Sequence, residues 1–469
     1  MAVVDDATPI ASNGAGSYEK TRQRHFSYLM SRMPEFLARL RWSRAEIDAE
    51  QTRALRDLVS HAVRSSPWHR ERLRGLDGDR LTPAALRDIP PMTKGDLMEH
   101  WDAIVTDPRC TLAAAETHLA GLAADSYFLD DLHVIASGGS SGKRGVFVYD
   151  WYGWAASALG LMRGLYDILL SLGRQPGPFA TVSAYVASHA TSALGQTFSN
   201  PERPSVRAPV SLPLAEIVAI LNRAQPSLLH TYPSMLPALC EEAHSGHLHI
   251  APALIWSTSE PLLPEVRAMV EATWSAPVAN GWAASESNGG AFCCPAGAGF
   301  HIGEDLNIIE PIDEHGNPVP RGQRSAKILV TNLYNRIMPL IRYEITDEFQ
   351  IAAGPCRCGS AYLKVADVHG RADDVFRYAS GTTVHPLNFR SSLGKDPAIV
   401  EYQVRQTQRG AEIAIVARAT VDIEALRSTL AQRLIGLGLP APEVIVRRVD
   451  RIERQDAGKL KRFIPLPTL

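Results

Sequence analysis

The stretch IASGGSSGKRGVFVY, residues 135–149, decides how the rest of the chain is read. Seven of its first ten residues are Ser, Gly or Lys, and an apolar run follows. Small residues let successive backbone N–H groups approach an anion, and the hydroxyls of Ser137, Ser140 and Ser141 add donors. A Walker-type phosphate loop needs G-x-x-x-x-G-K-[ST]. Here Ser137 stands where the first glycine belongs, and Lys143 is followed by Arg144. Taken alone, Ser137, Gly138, Gly139, Ser140, Ser141, Gly142 and Lys143 read either as a phosphate cradle or as a slack Ser/Gly connector.

Outward from this stretch, short apolar strands alternate with helical patterns from about 132 to 340: FATVSAYV, PLAEIVAILNRA, SLLHTYP, SMLPALCEEAHSG, ALIWSTSE, PEVRAMVEATW and PVANGWAA. That alternation predicts an α/β fold, a parallel sheet with crossover helices. The segment HIGEDLNIIEPIDEHGNPVPRGQRSAKILVTNL changes character and predicts a β-rich subdomain over about 292–365. From 373 to 469 the pattern is β then α, which predicts a small α+β C-terminal domain. Residues 18–372 would form the large domain. It opens with a helical stretch to about 73 and two short helices capped by Thr82 and Thr93. Residues 1–17 read as a disordered tail.

Bulk properties exclude several classes. A chain of 469 residues needs more than one domain. Hydrophobic residues make up 45% and charged residues 21%, the profile of a globular protein with a core. A net charge of −2 gives no global field to attract nucleic acid or a membrane surface. The most apolar stretch, WAASALGLMRGLYDILLSLG, contains Arg163 and Asp167 and predicts a buried helix, not a membrane span. The N-terminus has neither a basic region nor an apolar one, so a cytoplasmic location is the expectation.

Four downstream segments complete the picture: GWAASE (281–286), RYEITD (342–347), HGRADD (369–374) and RQDAGKLKRF (454–463). In this order, behind the Ser/Gly stretch, they resemble the core motifs of the adenylate-forming superfamily of acyl-CoA ligases. The chain is most similar to the phenylacetate–CoA ligase branch, through AVRSSPWHRERL, LTPAALRDIPPMTKGDL, YPSML, TSEP and MPLIRYEITD. The resemblance implies a large adenylate-forming domain and a small mobile C-terminal domain. It implies that residues 137–143 wrap the β- and γ-phosphates of ATP, and that Ser259, Glu260 and Pro261 edge the adenine. Trp282 stands where the family usually has a Tyr near the adenine, with Ser285 in the same nucleotide-contacting segment. The resemblance also implies that Glu286 associates with Mg²⁺, Asp347 holds the ribose hydroxyls, Arg371 belongs to the hinge motif and Asp373 is the hinge. Lys459 would bridge the reacting carboxylate and the α-phosphate.

Physical chemistry is compatible with these roles. A carboxylate attacking a phosphate must overcome like-charge repulsion, which a divalent cation and a lysine relieve. Each residue also has a plainer reading: Glu286 as a helix N-terminal carboxylate, Asp347 as a turn residue, 371–374 as a solvated ion-paired turn and Lys459 as a surface lysine. The chain departs from the family at Ala283, where a Gly is usual, and at Ile345 and Thr346 in place of TG. The lysine that closes the phosphate loop in many relatives is absent, since Gly145 and Val146 follow Arg144.

The resemblance implies an AMP-forming ligase using ATP, Mg²⁺ and coenzyme A on a small-molecule carboxylic acid. Transfer to an amine or a carrier protein, or a non-catalytic nucleotide-binding role, stay open, as does a homodimer. Tyr185, His189, Tyr232, Trp256 and Ala283 are expected around the acid; aromatic walls suit an aryl or arylalkyl body, although the same residues read as ordinary core aromatics. Cys294, His301, Cys356 and Cys358 offer three thiolates and an imidazole, a set fit for a closed structural zinc site. Gly359 would free the backbone to point amides at sulfur, and Cys293 is the rival for Cys294. Some members of the branch carry the same set. The alternative is simply buried cysteines.

Overall fold

The computed structural model describes residues 15–137, 145–174, 177–183, 187–200, 205–210, 212–297, 299–371, 374–384, 386–393, 398–417, 419–454 and 460–466. Its centre is a five-stranded parallel sheet in the order Val206–Pro209, Phe179–Ser183, Leu228–Thr231, Leu254–Ser257, Val278–Asn280. Helices Ala190–Thr197, Leu214–Ala224, Leu236–His244 and Pro264–Trp274 are the crossovers. Strand side chains alternate between faces. Leu229 and Ile255 join Ile217, Leu221, Leu239 and Val270 in one core. Leu254 and Trp256 face the opposite way, onto Leu165, Ile168 and Leu169 of the long helix Trp151–Ser171. Burying each such aliphatic side chain stabilises by roughly 1.5–3 kcal/mol, so the sheet is held from both sides.

The long helix is buried as expected, and Arg163 shows how a charge is tolerated there. Its guanidinium donates to both carboxylate oxygens of Asp305, at 2.8 and 2.7 Å, and lies 4.7 Å from the Phe292 ring. Arg39 adds a third bond to Asp305 at 3.2 Å. Asp167 instead pairs with Arg41 at the surface. Among the described residues no helix is long and apolar enough to cross a membrane.

The parallel sheet is shorter than the sequence alternation implies. His133–Ala136 and Val146–Tyr149 do not join it; they form a separate antiparallel hairpin. Nine residues part them, too few for the dozen or more that a parallel crossover requires. The β-rich region holds two antiparallel sheets, Asn307–Ile312 with Lys327–Asn332 and Tyr343–Ile345, and Asp347–Ile351 with Lys364–Arg371, Phe300–Ile302 and Ala291–Cys293. Met92, in PPMTKGDL, bridges to Tyr343 and so extends the first of these. Thr93 caps Lys94–Glu99 in a capping box with Asp96. Thr82 makes no such bond: Pro83 opens a 3-10 turn, and the Thr82 carbonyl accepts the Ala85 N–H instead.

The smaller C-terminal part is α+β. Ile399–Gln406 and Gly410–Ala417 pair antiparallel, and Glu443–Arg448 and Phe463–Ile464 add parallel edges. Helices Leu387–Leu393 and Ile423–Gly436 cover a core of Phe376, Phe389, Val404, Ile413, Leu430 and Phe463.

Candidate functional site

Two parallel strands deliver the first motif residues at their C-terminal ends, where ligands bind in open α/β sheets. Leu254–Ser257 runs into Ser259, whose φ of +73° is left-handed and strained for a residue with a side chain. Val278–Asn280 runs into Gly281 and Trp282, and the Gly281 N–H donates to the Ser257 carbonyl at 3.1 Å. The Trp282 indole N–H donates to Asp347 Oδ2 at 2.6 Å, and its ring meets Phe349 edge-on at 5.0 Å. Trp282 is 7% exposed and Asp347 6%. A buried indole N–H needs an acceptor, and the expected ribose carboxylate is the one it finds. Asp347 opens its strand directly opposite Arg371, so the RYEITD and HGRADD segments are cross-strand neighbours.

The Ser/Gly stretch is carried on the hairpin. The Ser137 N–H donates to the Gly145 carbonyl and the Gly145 N–H to Ser137 Oγ, both at 2.9 Å. Ser137 therefore closes the base of the loop. Residues 138–144 lie outside the described residues, and with them Gly138, Gly139, Ser140, Ser141, Gly142 and Lys143; so do Tyr185, Asp373, Lys459 and the side chain of Arg371. Beside the hairpin, Tyr149 Oη donates to the Ser285 carbonyl at 2.6 Å, and Asn332 Nδ2 donates to the Glu286 carbonyl at 3.0 Å. Glu286 is 8% exposed. Burial and the nearby Glu286 carboxylate together raise the phenols of Tyr149 and Tyr343 above their ordinary value.

A cavity of about 460 Å³ adjoins these turns and touches Ser259, Ser285, His189, Trp256 and Ala283. Tyr232 is a correction: it packs on the other face of the sheet with Leu236, Leu239 and Ile255. Its strand ends at Thr231 and the Pro233 turn redirects the chain. Sequence reasoning missed Leu29 and Met30 of the first helix, Met162 and Tyr166 of the long one, and His230. Apolar helix faces look alike in sequence whether they meet a core or a cavity. His230 Nε2 lies 3.0 Å from Thr258 Oγ1 beside the Trp256 ring, and burial pushes its pKa down to about 4.

The four predicted metal-ligating residues meet. The ligand atoms of Cys294, His301, Cys356 and Cys358 all lie within 4.8 Å of one another. Zn–S bonds of about 2.3 Å put tetrahedral sulfurs about 3.8 Å apart. Cys294 and Cys356 sulfurs are 3.5 Å apart, and His301 Nε2 is 3.2 Å from Cys358 Sγ. His301 Nδ1 lies 3.1 Å from the Tyr362 carbonyl, which can only accept, so Nε2 keeps the lone pair that a metal needs. Two matching turns present the sulfurs: Gly297 donates to the Cys294 carbonyl and Gly359 to that of Cys356, with φ of +102° and +80°. Backbone amides of Ala296, Cys358 and Ser360 point at the three sulfurs. Cys293 turns away into the core beneath the long helix, and burial pushes its thiol up to about 12.

No family model matches the chain. A phenylacetate-coenzyme A ligase of Thermus thermophilus is 25% identical over 462 residues, spanning 90% of this chain and 97% of its own length. Protein CapK of Staphylococcus aureus is 20% identical over 364 residues, or 73% and 72% of the two chains. Among solved structures, a 2-hydroxyisobutyryl-CoA ligase in the postadenylation state, in complex with R3-HIB-AMP, overlays with a TM-score of 0.71 at 20% identity over 91% of both chains. The same ligase in its thioesterification state gives 0.59, and in an open conformation 0.58. Motif order, fold and near full-length similarity agree: the chain is similar in sequence to a phenylacetate-coenzyme A ligase and shares the fold of a 2-hydroxyisobutyryl-CoA ligase.

Proposed function

We propose that this protein activates a carboxylic acid with ATP and passes the acyl group to coenzyme A. The observation that carries the reading is the continuity of two features. The buried Trp282–Asp347 pair sits at the strand ends, and an apolar cavity opens between the turns holding Ser259 and Ser285. The first suits a nucleotide sugar, since a carboxylate accepts from two hydroxyls. The second suits the body of an acid.

In the first half-reaction a carboxylate oxygen of the acid bonds to the α-phosphorus, and pyrophosphate leaves. In the second, the thiol sulfur bonds to the acyl carbon and AMP leaves. Asp347, held by Trp282, fixes the ribose. Ser259, Glu260 and Pro261 edge the base, and Lys459 neutralises charge between the acid and the α-phosphate. Arg371 and Asp373 would serve as the hinge between the two arrangements. Glu286, whose carboxylate is buried, would hold a magnesium ion together with phosphate oxygens, as Mg²⁺ is usually held. When bound it offsets phosphate charge. Zinc on Cys294, His301, Cys356 and Cys358 would be structural, because four protein ligands leave no open position.

The acid is aryl or arylalkyl in this reading, supported by Trp256 and Tyr166 in the cavity wall. Pyrophosphate release across an acid panel, with and without coenzyme A, followed by mass analysis of products, is the test. Acid-dependent release with an acyl-CoA product is expected. Release without a thioester would overturn the choice of acceptor, and no release with any acid would overturn adenylation.

A further inference from the structure

The segment YPSML has no part in the chemistry above, and TSEP only borders it. They meet in the fold, together with the first residue of RQDAGKLKRF. One Glu260 carboxylate serves both sides of the contact: Oε2 accepts the Ser234 N–H at 3.0 Å and Oε1 accepts the Leu460 N–H at 2.9 Å. Arg454 makes a parallel connection, with Nη1 donating to Ser234 Oγ at 2.9 Å and Nη2 paired with Glu401. Ser234 is 1% exposed. Glu401 belongs to the strand Ile399–Gln406 of the C-terminal sheet, whereas Ser234 and Glu260 follow adjacent strands of the parallel sheet.

These bonds tie the large domain to the peptide that follows Lys459, since the Leu460 nitrogen is Lys459's own amide partner. They are charge-assisted, which makes them about twice as strong as neutral ones. The left-handed φ at Ser259 turns the chain just before Glu260. The domain arrangement in which they occur is the one that overlays better on a postadenylation than on a thioesterification structure.

We propose that Glu260, Ser234 and Arg454 form a clip that holds the C-terminal domain in the adenylating arrangement and must open before thioester formation. They are positioning residues, acting through Lys459. The inference rests on the ligase reading for its kinetic consequence but not for the contact itself.

Two measurements separate these levels. Hydrogen–deuterium exchange on the full-length protein without ligands reads the contact directly. Glu260→Ala should speed exchange at the Leu460 amide by about tenfold or more, as expected when an amide loses a charged acceptor; unchanged exchange overturns the clip. Arg454→Ala, which leaves Glu260 and the other base-edging residues unsubstituted, should slow acyl-adenylate formation about tenfold at saturating ATP. The KM for ATP should stay unchanged, and thioester formation from supplied acyl-adenylate should stay within about twofold. Equal loss of both half-reactions, or loss of neither, overturns the positioning role. Faster exchange in Glu260→Ala, alongside a wild type that adenylates no acid, overturns the ligase reading and leaves the contact standing.

Discussion

Trp282 donates its indole N–H to Asp347, so the residue replacing the family's usual tyrosine is bonded to the carboxylate expected to hold the ribose. Hydrogen bonds to charged groups contribute about 1.5–3 kcal/mol. Trp282→Phe keeps an aromatic ring but removes the donor, leaving a carboxylate that is 6% exposed without that partner. The dissociation constant of AMP, measured calorimetrically, should rise about ten- to hundredfold, with a smaller change in kcat. An unchanged AMP affinity would show that the pair has no part in nucleotide binding.

The cysteine–histidine cluster makes a second prediction. Purified protein should contain about one zinc per chain, and Cys356→Ser should lose it together with several degrees of Tm, because metal binding to a preformed site is folding free energy. Cys293→Ala is the control. It lies outside the cluster and should keep the metal while losing some core packing. Zinc retained in Cys356→Ser would contradict the assignment.

What could be read from the chain alone depended on how local each signal is. The parallel sheet was legible because strands such as ALIWS and crossover helices such as PEVRAMVEATW each carry their own periodicity. The zinc-type cluster was legible because cysteines are few and Gly359 marks a turn that needs positive φ. Tyr232 was misplaced because its strand ends at Thr231, so strand parity does not carry over to the residue that leads into the Pro233 turn. The clip was invisible in sequence: Arg454 and Ser234 are 220 positions apart, and nothing in either segment names its partner. The same holds for Trp282 and Asp347, 65 positions apart, whose two motifs were each legible but whose bond was not.

Acid should weaken the fold in two stages. Burial holds His69 down to about 3 and His230 to about 4, against about 6.5 in an unfolded chain; His25 is lowered in the same way. Between these values the unfolded state binds more protons, so stability rises with pH and falls on acidification through this window. Two such histidines amount to about 3 kcal/mol per pH unit. Burial alone would raise Asp305, but Arg163 and Arg39 outweigh it and hold its pKa below the ordinary value. That contribution is complete above about pH 4 and is lost only as pH falls through the lower folded value. Urea midpoints should therefore decline steadily from about pH 6.5 to 4.5, and His69→Gln should flatten the slope. A profile independent of pH over that range would contradict it.

The cavity makes a prediction about the acid. An engineered cavity of about 150 Å³ accommodates benzene, and this one, at about 460 Å³, is roughly three times larger. A single-ring arylalkyl acid would leave part of it unfilled, whereas a two-ring or longer arylalkyl acid would bury more apolar surface, at about 25 cal/mol per Å². Within an aryl series kcat/KM should therefore rise with size before it falls. Met162 borders the cavity from the long helix, so Met162→Trp should remove space without touching the nucleotide turns. In that variant kcat/KM for a two-ring acid should drop by about tenfold or more, while the value for a one-ring acid stays level or improves. ATP–pyrophosphate exchange across a panel running from acetate to naphthylalkyl acids measures both. Preference for acetate in the wild type, or equal losses for all acids in Met162→Trp, would show that this cavity does not hold the acid's apolar body.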